Sequence, residues 1–176
     1  MSAIGSFYII ADNLVDELID SARASSEALR KKRLWILPPR IPLKHDPYRE
    51  YVAANCRAHN SLPFSGYAIS DLELFIPGCF HSTNQVGHAL WEHSRSTSYL
   101  SFGPRDALLV LERLGSADYS DGQIREFMNN ESRYGDRFAN LKQQIFETRD
   151  GVSEWLGEIS ASEIGVITVG LSLIHI

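Results

Sequence analysis

Two apolar runs at opposite ends of the chain constrain its fold more than any other feature. Phe7, Tyr8, Ile9 and Ile10 are aromatic or β-branched, and GVITVGLSLI at residues 165–174 carries no charge. The first has strong strand propensity, and the second reads as a buried central strand. If the two pair in one sheet, they close a single core and leave no natural domain boundary. The expectation is a helix-rich α+β single domain spanning residues 1–176, its small sheet including the N-terminal and C-terminal strands.

The sequence between those runs is mostly helical in period. Leu14, Leu18, Ile19, Ala22 and Leu29 form one stripe, with Asp16, Glu17 and Asp20 early and Arg30, Lys31, Lys32 and Arg33 late. That polarity suits the helix macrodipole. The stretch 34–47, LWILPPRIPLKHDP, holds four prolines and reads as a Pro-rich crossover that no regular helix could traverse. Asp46 before Pro47 is a helix start, and Tyr48, Tyr51, Val52, Cys56 and His59 would share one broad sector of that helix. Ser70 and Glu73 have capping-box spacing ahead of Leu74, and Pro77-Gly78 stops that helix early. Further helices are expected over 83–93, from Pro104, from Ser120 or Asp121, and from about Asp136. A short strand is expected near 97–102.

Composition narrows the function classes. The chain has 176 residues, of which 44% are hydrophobic and 22% charged, with a formal net charge of −5; these values suit a folded domain and not a disordered tail. The net charge hides a contrast. Residues 21–57 carry +6, against −11 in the rest of the chain. A blanket affinity for nucleic acid is therefore disfavoured, while a local basic patch stays open. Two cysteines make no disulfide framework, no run reaches membrane-spanning length, and the start has no basic leader, so a cytoplasmic protein without membrane attachment is expected.

Residues with chemical potential are few. Cys56 and His59, three apart, would lie on one helix face, and Cys79 and His81 follow beyond a loop. Together they could form a tetrahedral zinc set, but their spacing matches no zinc signature. Cys56, beside Arg57 and near His59, is the best candidate nucleophile, and needs a lowered thiol pKa to serve as one. Buried cysteines and ordinary histidines explain the same residues. Neither a nucleotide-binding glycine pattern nor a serine elbow is present, and no cofactor is expected. In SFGPRDA, Arg105 and the start of a helix could meet an anion, although turn geometry accounts for the same glycine and proline.

The basic run Arg30–Arg33, enlarged by Tyr48 and Tyr51, is the candidate interaction face, tyrosine and arginine being frequent interface anchors. A solvated helix end is the simpler explanation of the run. The opening MSAIGSFYIIADNLVDELID, the long helix over 136–157 and the following GVITVGLS resemble the YfbM-like family of small bacterial α/β proteins. SFGPRDA is loosely similar to that family's glycine–proline turn before a helix. The middle, YVAANCRAHNSLPFSGYAISDLELF, departs from the family's pattern. The resemblance covers about a third of the chain, and implies a compact cytoplasmic α/β protein with no activity or site residues to carry over. The expected function is a non-enzymatic bacterial protein-binding or regulatory domain that neutralises or escorts another protein. Two alternatives stand beside it: a cysteine/histidine-dependent hydrolase or transferase with or without a metal, and a weak nucleic-acid binder. Homo-oligomerisation is left open.

Overall fold

The structure, a computed structural model, describes residues 2–32, 45–59, 67–93, 97–131 and 137–172. Strand β1 (Ser2–Ala11) leads through a short 3-10 turn at Asp12–Leu14 into α1 (Val15–Lys32). Then follow α2 (Pro47–Asn55), β2 (Arg57–His59), α3 (Tyr67–Phe75), α4 (Val86–Glu92) and β3 (Thr97–Phe102). The chain continues through α5 (Pro104–Ser116), α6 (Asp121–Asn130), α7 (Phe138–Gly157) and β4 (Glu163–Ser172). The Pro-rich crossover lies outside the described residues up to residue 44.

The terminal strands pair with each other. They run antiparallel, Phe7 opposite Ile167 and Tyr8 opposite Val166, at the centre of a four-stranded sheet of order β2-β1-β4-β3. The protein is thus α+β, with a small antiparallel sheet that includes both terminal strands. The expectation of a single core needs correction, because the sheet separates two. Alternate residues of one strand enter different cores: Phe7 and Ile9 on one face, Tyr8 and Ile10 on the other. With apolar residues at four consecutive positions, Phe7–Ile10, the strand requires cover on both faces there.

The first face packs against α3, α5, α6 and α7 through Leu72, Val110, Ile124, Ile145 and Trp155. Trp155 lies edge-on to Phe7 and Phe102, at ring centroid distances of 5.1 and 6.0 Å. Gly165 makes that position available, since a Cβ there would lie 2.7 Å from the indole Cζ2 and 2.5 Å from Ile159 Cδ1. The second face packs against α1, α2 and α4 through Leu18, Ala22, Val52 and Leu90.

Local capping explains several boundaries. Asp46 accepts hydrogen bonds from the Tyr48 and Arg49 amides and so starts α2, and Ser120 starts α6 by accepting from Gln123. Glu73 forms no capping box. It lies late in α3, where its two carboxylate oxygens accept from the Gly78 and Phe80 amides and fold the chain back after Pro77. The helix starts earlier than Ser70 because Ala68, Ile69 and Leu72 are all drawn into the core.

Candidate interaction site

The sequence-derived candidates separate in space. The α2 helix ends at Asn55, with Cys56 as its C-cap, and Arg57–His59 then extends along β1, His59 opposite Phe7. Cys56 and His59 therefore do not share a helix face, which corrects that expectation. Pairing with an open edge of β1 outweighs the helical period of this short segment. The His59 side chain lies outside the described residues.

Cys56 packs on the α1 side of the sheet and Cys79 is fully buried on the other. The sheet stands between the two thiols, so the proposed four-residue ligand set does not assemble around them. Among the described residues no group of three or more His, Cys, Asp or Glu side chains could hold a metal ion. His81 is exposed, and its backbone carbonyl, with those of Gly78 and Cys79, accepts from the Arg113 guanidinium.

Nor does either thiol have the electrostatics of a nucleophile. Burial pushes Cys56 up to about 11 and Cys79 up to about 12, opposite to the direction thiolate chemistry requires. Arg57, which could have stabilised a thiolate, instead pairs with Glu158 at 2.6 Å and Glu163 at 3.3 Å, tying β2 to the start of β4.

The start of α5 already holds an anion of its own. Asp106, in its first turn, is buried and accepts from Ser82 Oγ, the Thr83 amide and Thr83 Oγ1 at 2.8–3.1 Å. Burial pushes this carboxyl upward, but the Thr83, Ser82 and Gly103 hydrogen bonds outweigh it and hold the pKa below the ordinary value. Asp106 thus ties the 82–83 loop to the first turn of α5, while the neighbouring Arg105 side chain is exposed.

The proposed tyrosine anchors are both bonded within the fold, Tyr48 more deeply than Tyr51. The Tyr48 and Tyr8 hydroxyls share a short hydrogen bond, and the Tyr48 ring stands edge-on to Tyr99 at 6.2 Å. Burial raises both phenols above their usual range, so they remain neutral. Tyr51 Oη donates to the Leu14 carbonyl and to Glu17, fastening α2 to the start of α1. Tyr48 is engaged within the second core, whereas Tyr51 packs at its edge with its hydroxyl bonded to Glu17 at an exposed position.

One part of the basic segment does border an accessible concavity. Arg23, Ser26, Glu27 and Arg30 of α1 face Glu92 and His93 at the end of α4 across a cleft of about 340 Å³. Arg23 is paired with Asp20 at 2.9 Å and Glu92 with His88 at 3.5 Å. Arg30 has no side-chain partner among the described residues, and the side chains of Lys31 and Lys32, like the whole of Arg33, lie outside them. On the same helix but outside the residues that line the cleft, Trp91 is 54% exposed and stacks on His88.

Sequence reasoning missed Trp91, although its position was legible. A helix that buries Leu90 turns the next residue about 100° outward. No helix among the described residues is long and apolar enough to cross a membrane. Comparison with family models, curated proteins and solved structures finds no match to this chain.

Proposed function

We propose that this chain is a non-enzymatic bacterial protein-binding or regulatory domain, acting in the cytoplasm, that neutralises or escorts another protein. Its recognition face is the C-terminal half of α1 together with the end of α4. The observation that carries this reading is the cleft lined by Arg30 and His93; the α4 helix that supplies its far wall also carries the exposed Trp91 indole. Tryptophan and arginine dominate the energetics of many interfaces: one supplies rigid apolar area, the other forked hydrogen bonds to carboxylates. The run continues in sequence with Lys31, Lys32 and Arg33, which favours an acidic protein surface as partner. Its placement among small bacterial α/β proteins rests on the resemblance of both chain ends to YfbM-like sequences.

The raised thiol pKa values weigh against the hydrolase or transferase alternative. A nucleic-acid interface would use exposed aromatics interleaved with cations; the exposed Trp91 lies beside Glu92, and both Glu27 and Glu92 line the cleft.

Affinity purification from the native cell tests the proposal, comparing wild type with Trp91→Ala and with Arg30, Lys31, Lys32 and Arg33 all changed to Glu. A partner retained by wild type and lost from both variants is expected, with far-UV circular dichroism unchanged. Equal recovery by all three proteins overturns it.

A further inference from the structure

The α5 helix presents a second surface, on the opposite side of the sheet. Its inner face buries Ala107, Val110 and Leu114 against the first core. Its outer face leaves Leu108 69% exposed and Leu109 37% exposed. Arg105 and Glu112, both exposed, flank these leucines on the same stripe. At 100° per residue, positions 105, 108, 109 and 112 fall within a sector of about 100°.

The order of residues along this stripe is self-complementary. Residues 105 and 112 are equidistant from the midpoint between 108 and 109. When two copies of α5 lie antiparallel across a two-fold axis at that midpoint, Leu108 meets Leu109 of the second copy. Arg105 of each copy then comes opposite Glu112 of the other, twice. A two-fold interface demands this reciprocity, in which the same patch serves both sides.

Neither charge is satisfied within its own helix. Arg105 and Glu112 are seven residues and two turns apart, about 10 Å along the axis, too far for the usual i,i+4 pairing. Neither has a side-chain partner among the described residues. Arg105 also lies in the first turn, where the macrodipole disfavours a cation. A carboxylate from a second copy offsets that position, and the exposed leucines supply the apolar centre that such a contact requires.

We propose that the protein self-associates through α5, as an antiparallel two-fold pair centred on Leu108 and Leu109 and keyed by reciprocal Arg105–Glu112 ion pairs. The helix has 13 residues and so is about 20 Å long, which makes the interface small and the dimer weak, with a Kd on the order of 10–100 μM. Because α1 and α4 cover the other face of the sheet, this pairing leaves the proposed recognition face of each copy free.

Sedimentation equilibrium of the full chain from about 1 to about 300 μM provides the test. The weight-average mass of wild type should rise toward twice the monomer value. Arg105→Glu and Glu112→Arg each place like charges opposite one another and should weaken association at least about tenfold. The double charge reversal restores opposite charges and should recover the wild-type curve, while Leu108→Lys should abolish association. All three substituted positions lie on an exposed stripe, and unchanged far-UV circular dichroism confirms that each of the four variants folds. A wild type that stays monomeric throughout overturns the proposal. So does a dimer indifferent to the single reversals, or a double reversal that fails to restore it.

Discussion

The two faces of the sheet are covered by different chemistry. On one, Trp155, Phe7, Phe102 and the aliphatic residues of α5 and α7 form an apolar interior in which Gly165 makes room for the indole. On the other, the core contains hydroxyls as well as hydrocarbon. Tyr8 bonds Tyr48, Tyr51 bonds α1, and Ser25 Oγ both donates to Asp46 and accepts from the Tyr48 amide. The first face is held mainly by packing, with one buried polar link in which Gln144 of α7 donates to Asp71 of α3. The second is held by a polar network, which tolerates no missing partner. Only the second borders the α1–α4 cleft, where charged side chains remain accessible.

The strongest way to break this contrast is to remove the indole. Trp155→Ala should cost about 3–5 kcal/mol in urea denaturation, and Gly165→Ala about 1–3 kcal/mol by forcing a Cβ into the same ring. A cost below 1 kcal/mol for Trp155→Ala would show that the first face is not packed as described.

Next in size is the buried carboxylate that anchors the 82–84 loop to α5. Asp106→Ala should destabilise by about 2–3 kcal/mol, because it leaves Ser82 and Thr83 donors without an acceptor. The pH dependence has a definite sign. The folded-state pKa of Asp106 lies below its unfolded value of about 3.9, so its stabilisation is fully present above that value. It is lost as the pH falls through the depressed folded pKa. The stability difference between wild type and Asp106→Asn should therefore shrink steadily as denaturation is repeated from pH 6 down toward pH 2.5.

The polar face should show a smaller effect. Tyr48→Phe keeps the ring against Tyr99 but removes the partner of the Tyr8 hydroxyl, at about 1–2 kcal/mol. Trp91→Ala sharpens the comparison from the other direction: it should change stability by less than about 0.5 kcal/mol while abolishing partner capture.

The thiols compare the two faces without changing stability. At pH 7.5 both should react with a thiol reagent more slowly than a free cysteine, Cys56 before the fully buried Cys79. A Cys56 faster than free cysteine would mark an activated thiol and reopen the catalytic reading.

Much of the architecture was readable from local chemistry. The terminal strands announce themselves by continuous apolar runs, and Asp46-Pro47, Ser120 and Gly103-Pro104 mark helix starts through capping and fixed backbone angles. In α7, Leu141, Ile145, Val152 and Leu156 hold their period through Gly151 and are all buried. β2 was not readable. Its three residues have no period of their own and become a strand only because β1 offers an edge. Ser70 and Glu73 had the right spacing for a cap, but spacing alone cannot say whether a residue is before the helix or inside it. For the site, the end of α1 was legible as a basic run, whereas the meeting of Arg30 with His93 depends on how α1 and α4 pack across residues that are far apart in sequence.

The terminal strands, most helix starts and the uneven charge are written in neighbouring residues, because propensity, capping and periodicity act over a few positions. Which face each apolar residue occupies, which carboxylate caps which loop, and whether two cysteines meet are long-range questions. Packing against the sheet answered them. It put Cys56 and Cys79 on opposite sides, turned Tyr48 inward, and left Trp91, Leu108 and Leu109 facing out. A tertiary structure has to satisfy every buried hydroxyl and fill every cavity at once, and no local pattern encodes that joint condition.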